Sequence, residues 1–130
     1  MFSNLFNSDK NLSPKKYNSL LEATDWSIVL EKSFIVPQLI FKHSERCSIS
    51  RWVLKQFENA FQLNEAQLSW HLVDVVGHRD LSQKIAQETN IIHESPQILI
   101  ISKGQCIYNA SHESISYEKV VEVLHNIKSN

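Results

Sequence analysis

Residues 39–53 read Leu-Ile-Phe-Lys-His-Ser-Glu-Arg-Cys-Ser-Ile-Ser-Arg-Trp-Val. The continuous apolar run Leu39-Ile40-Phe41 predicts the centre of a strand buried on both faces, as in a parallel sheet with helices on each side. A short basic loop follows. Beyond it Ile49, Trp52, Val53, Phe57, Ala60 and Phe61 recur at the spacing of one helical face. Cys47 stands at the junction, where the helix begins. Unpaired backbone N–H groups and the helix dipole favour a negatively charged sulfur there. Three residues later the chain has Ser50, so the segment is Cys-x-x-Ser, a one-thiol version of the redox Cys-x-x-Cys.

Working outward, Tyr17–Leu21 reads as a short first strand. Thr24 or Asp25 is placed to cap a helix over Trp26–Lys32, with Trp26, Val29 and Leu30 on one face. Pro37 precedes the strand Gln38–Lys42, where its missing N–H costs least. Another strand is expected at Ser69–Val76, then a helix from Asp80 to Thr89 that ends at Asn90, a residue tolerant of the left-handed conformation. Gln97–Ser102 and Gln105–Ala110 are joined by Lys103-Gly104, a tight hairpin connection. Ser116 is placed to cap a last helix carrying Tyr117, Val120, Val121 and Leu124. The order β-α-β-α-β-α-β-β-α requires a parallel portion of sheet, with the last hairpin as an antiparallel edge. This is the α/β thioredoxin-like arrangement, a central mixed sheet flanked by helices. A cysteine opening the helix after the second strand is in its usual active position.

A length of 130 residues fits one domain, expected over 16–130 with a flexible tail at 1–15. The near-neutral charge of −1 argues against nucleic-acid binding, which needs a basic face. Two cysteines, Cys47 and Cys106, cannot build a disulfide framework and fit reduced thiols of a cytoplasmic protein. No segment approaches the roughly 20 apolar residues of a membrane helix, and Met1–Phe6 lacks a signal-peptide core. A cytoplasmic monomer with no membrane or nucleic-acid partner is the expectation.

Disulfide exchange needs an exposed, stabilised and nucleophilic sulfur. Around Cys47 stand the hydroxyls of Ser44, Ser48 and Ser50. The charges nearby are Lys42, Arg46, Arg51 and Lys55 against Glu45. Ser50 in place of a resolving cysteine stops the reaction at a mixed disulfide, which a second thiol must clear; its hydroxyl can still donate to the sulfur. Ser95-Pro96 precedes the strand Gln97–Ser102, where thioredoxin-like proteins carry a cis-proline facing the cysteine. His43, four residues before Cys47, either handles a proton or packs in the loop. His93, close to Pro96, either reaches the same face or takes a structural or solvent role. His71, His78, His112 and His125 share no metal-ligand spacing, so no metal is expected. Cys106 is either a small core residue or a distal resolving thiol.

Phe41-Lys42-His43-Ser44-Glu45-Arg46-Cys47-Ser48-Ile49-Ser50 resembles the active-site segment of the monothiol bacilliredoxins, the YtxJ-like family. Further blocks agree in order and spacing: residues 71–76, Arg79-Asp80-Leu81-Ser82, His93-Glu94-Ser95-Pro96-Gln97, and Ala110-Ser111-His112 with Ile115 just after. The resemblance spans Tyr17 to Leu124. It implies a thioredoxin fold, Cys47 as nucleophile, Ser50 in place of the resolving cysteine, and Pro96 as the cis-proline of a thiol groove. His43, Ser44, Arg46, Ser48 and Ser95 are expected to complete that groove. The implied activity is de-bacillithiolation: Cys47 takes a low-molecular-weight thiol such as bacillithiol from an S-thiolated client protein, and free thiol regenerates the cysteine. That thiol is a co-substrate, with no tightly bound cofactor. The chain departs from the pattern in one place: Arg46 and Ser48 flank the cysteine where family members carry Thr and Pro, which alters the stiffness of the helix start. A dithiol reductant resolving through Cys106, a non-enzymatic thioredoxin-like binding or chaperone module, and an iron–sulfur dimer are the competing readings.

Overall fold

The computed structural model describes residues 15–129. The tail expected at 1–15 lies outside the described residues except for Lys15. In chain order the elements are β1 (Asn18–Ser19), α1 (Ala23–Lys32), β2 (Gln38–His43), α2 (Ser48–Ala60) and β3 (Ser69–Asp74). They continue with α3 (Arg79–Thr89), β4 (Gln97–Ser102), β5 (Gln105–Ser111), a short 3₁₀ turn (His112–Ser114) and α4 (Tyr117–Ser129). The strands form a sheet in the order β1-β3-β2-β4-β5. β2 pairs in parallel with β3, Ile40 opposite His71, and antiparallel with β4, Ile40 opposite Leu99. β2 is therefore central, and all six of its residues are buried.

Strand alternation divides the core in two. Leu39 and Phe41 point towards α2 and α4, where they meet Val53, Phe57, Phe61, Trp70, Val120 and Leu124. Ile40 points the other way, to Trp26 and Val29 of α1 and Leu81 and Ile85 of α3. At about 25 cal/mol per Å² of apolar surface buried, these two layers supply the main drive to fold. Lys16 closes the far end of α2 by donating to the carbonyls of Glu58 and Phe61, each at 2.8 Å, which helix ends otherwise leave unpaired.

Several boundaries differ from the sequence reading. The first strand shrinks from Tyr17–Leu21 to two residues, because only Asn18 and Ser19 find register partners on β3. The third ends at Asp74, whose carboxylate accepts from the N–H groups of Val76 and Gly77 and turns the chain. Glu22 caps α1 in place of Thr24 or Asp25. Asp25 instead reaches back to the Glu22 N–H at 3.0 Å, completing a capping box. Ser116 does cap α4, its hydroxyl accepting from the Lys119 N–H. The hairpin turn holds both Lys103 (φ 52°) and Gly104 (φ 79°) in left-handed backbone, as a type I′ connection demands. A β-carbon on Gly104 would also press on the Phe34 ring at 3.1 Å.

Candidate active site at the end of the second strand

β2 delivers the chain to the carboxyl end of the sheet, and α2 leaves from the same point. Cys47 is the residue between them. It occupies the N-cap of α2 with extended backbone (φ −102°, ψ 120°), and its carbonyl accepts the first helical bond from Arg51. The N–H groups of the first helical turn have no carbonyl one turn back and open towards the sulfur. Cys47 is half-buried and forms no disulfide.

The preceding loop is tied down by five hydrogen bonds. The Cys47 N–H donates to the Ser44 carbonyl at 3.2 Å, and Arg51 donates to the Glu45 carbonyl at 2.6 Å. The Ser44 N–H donates to Ser50 Oγ at 3.0 Å. His43, itself buried, joins Ser50 Oγ through Nδ1 at 2.7 Å and the Glu45 carboxylate through Nε2 at 2.6 Å. A carboxylate only accepts, so Nε2 carries the hydrogen facing Glu45. Ser50 is fully buried and its oxygen is committed to the loop. Its expected donation to the sulfur is replaced by this chain of bonds. His43 packs and bonds within the loop. Arg46 and Ser48 are left exposed beside the cysteine.

The Ser95–Pro96 peptide is cis. Pro96 is buried at the start of β4, the antiparallel neighbour of β2, with Gln97 opposite Lys42. The Ser95 hydroxyl oxygen is buried without a partner. The topology thus brings Cys47, the His43–Ser44–Ser50 loop and Ser95–Pro96 to one end of the sheet.

Lys42 does not join the positive surface around Cys47, where its sequence position suggested it. It shares the face of Ile40, opposite to α2, and is fully buried. Its amine donates to His93 Nδ1 at 3.1 Å. Burial brings the ammonium down to about 8, opposed by attraction to Cys106. Burial and the Lys42 charge lower His93 in turn. The two groups resist being protonated together. Strand alternation with Ile40 is the signal that would have placed Lys42 correctly. Glu45, the partner of His43, carries no comparable sequence signal.

Three of the apolar residues expected to bury on α2 are exposed: Ile49 (44%), Trp52 (60%) and Ala60. The covered face runs through Ser50, Val53 and Phe57 instead. Cys106 lies at the other end of the sheet. It pairs with Ile101, which faces Gln38 at the start of β2. Five strand residues at about 3.3 Å each separate that level from His43, too far for a disulfide with Cys47 without moving backbone. Its thiol donates to the Tyr108 carbonyl, and burial pushes it up. His71 sits buried on Gln38 and Ser69, brought down to about 4 by burial and then by Lys32. Among the described residues, no group of three or more His, Cys, Asp or Glu side chains is arranged to hold a metal ion. None of their helices is long and apolar enough to cross a membrane.

Residues 18–120 match the sequence family described as monothiol bacilliredoxin BrxC. The chain belongs to that family. A solved structure described as an oxidoreductase with a thioredoxin fold is similar at 30% identity, covering 82% of this chain and 92% of that one, with a TM-score of 0.71. Thioredoxins of Malassezia sympodialis (13% identity, 88% and 93% covered, TM-score 0.67) and Fasciola hepatica (15% identity, 84% and 97% covered, TM-score 0.66) share the fold. This bacilliredoxin is a thiol redox protein of the thioredoxin-like α/β class, as its element order and Cys-x-x-Ser segment predict.

Proposed function

We propose that this bacilliredoxin removes a low-molecular-weight thiol, such as bacillithiol, from mixed disulfides on client proteins through Cys47. The sulfur of Cys47 attacks the small-thiol sulfur of the client disulfide. The bond between Cys47 and the small thiol forms as the client bond breaks, and the client sulfur leaves as a thiolate that takes up a proton. A second molecule of free thiol then attacks the small-thiol sulfur held on Cys47. It leaves as the symmetric disulfide and restores the cysteine, so the free thiol supplies both electrons.

The observation that carries this reading is the pairing of a cysteine at the helix start with a serine, not a thiol, one turn on. Ser50 is buried and hydrogen-bonded, and Cys106 lies at the opposite end of the sheet. An internal disulfide as the working intermediate is disfavoured by both facts. The binding-module reading draws support from exposed Ile49 and Trp52 beside Cys47, surfaces that a client can cover during exchange as well.

Intact-protein mass after treating reduced protein with the oxidised small thiol tests the proposal. The expected result is a single adduct, absent in Cys47→Ser and released by excess free thiol. Loss of two hydrogens within one chain would bring Cys106 into the mechanism, and no adduct at all would favour the binding module.

A further inference from the structure

Val75 and Val76 follow β3, and His93 precedes β4; β3 and β4 are the two neighbours of β2. A cleft of about 270 Å³ is lined by these three residues with Arg79, Ser82 and Gln83 of α3. It therefore straddles the end of the strand from which the Cys47 loop springs. β3 and β4 stand two strand spacings of about 4.8 Å apart, and the lining by α3 puts the cleft beside the end of β2 on the face opposite to α2.

The polar groups of the cleft are mostly donors. Arg79 brings a guanidinium, which cannot accept. Gln83 brings an amide and is exposed, as is Arg79. At His93 the buried Lys42 amine donates to Nδ1, so the ring hydrogen sits on Nε2. Ser82 spends its hydroxyl on the His78 carbonyl. Among the described residues no carboxylate lines the cleft, although the charge of neighbouring Glu94 reaches His93. Asp74, at the end of β3, is engaged by the N–H groups of Val76 and Gly77. An arginine fork beside an imidazole donor, with apolar walls from Val75 and Val76, matches the planar geometry of a carboxylate.

We propose that this cleft binds a carboxylate of the low-molecular-weight thiol whose sulfur is joined to Cys47, which makes Arg79 and His93 specificity-determining residues. The inference rests on the exchange reading above. Lys42 acts through His93 as a positioning residue: fully buried, it holds the ring in the tautomer that donates.

The test uses the full chain and no client, so any carboxylate sensed belongs to the thiol. Reduced protein is treated with oxidised glutathione and, separately, with the same disulfide esterified at every carboxyl, at fixed ionic strength. Adduct formation is followed by intact mass. The acid form should react about tenfold faster than the ester, the worth of one charge-assisted contact. Arg79→Gln should bring the acid form down to the ester rate and leave the ester rate unchanged, with Arg79→Lys between. Lys84→Gln removes the same charge from α3 outside this cleft and should change neither rate. Equal rates for acid and ester on the wild type would overturn the subsite alone. A loss in Lys84→Gln matching that in Arg79→Gln would do the same, by reducing the effect to general charge. No adduct with either reagent would overturn the exchange reading and the subsite with it.

Discussion

The molecule has two free cysteines, both half-buried, in opposite surroundings. Cys47 caps a helix, with unpaired N–H groups on one side and exposed Arg46 on the other. Cys106 packs against the apolar layer between the sheet and α1 and α3, its sulfur bonded to the Tyr108 carbonyl. Equal exposure therefore does not mean equal chemistry. What surrounds the sulfur decides whether it works as a nucleophile or as a small core residue.

The largest effect should come from Cys47→Ser, which is expected to abolish small-thiol adducts while the far-ultraviolet circular dichroism stays that of the wild type. An adduct surviving on Cys106 would break the comparison outright. Next, iodoacetamide at pH 7 should alkylate Cys47 at least about tenfold faster than Cys106, read by peptide mass. Burial raises the Cys106 thiol above its ordinary range. Its thiolate thus forms only at more alkaline pH, and its alkylation should keep climbing where an ordinary cysteine has levelled off.

Ser50→Ala sharpens the contrast from the side of the loop. It leaves the Ser44 N–H and His43 Nδ1 without their shared partner, and urea unfolding should show a loss of about 1–3 kcal/mol. Lys42→Met should act on the other cysteine: without the ammonium, Cys106 rises further and is alkylated more slowly still. His93, freed of that charge, should take up its proton at higher pH in a histidine NMR titration. Cys106→Ala should be the mildest, with exchange at Cys47 within about twofold of wild type, since only the charge of Lys42 links it to the cysteine end of the sheet.

The sequence made the central elements legible because their patterns are local. The apolar run at Leu39–Phe41, the helix periodicity after Cys47 and the Lys103-Gly104 turn each need only a few neighbouring residues. What escaped depends on partners distant in sequence. The apolar stripe of α2 is wider than the face the sheet and α4 cover, so Ile49 and Trp52 read as core yet stand in solvent. The first strand had the right place and the wrong length, because its extent is set by what β3 offers at the edge. Lys42 looked like one more charge near the cysteine. Strand parity sends it through the sheet to His93, fifty-one residues away.

The exposure of Trp52 has an optical consequence. Trp26 and Trp70 are sealed in the two core layers, at 0% and 1% exposure, whereas Trp52 stands in water five residues beyond Cys47. Two indoles therefore report on the fold and the third on whatever covers the cysteine end. Iodide should quench only the red-shifted part of the emission. A docked client that shields Trp52 would remove that quenching and blue-shift the spectrum, so occupancy of the site can be followed by fluorescence without a label.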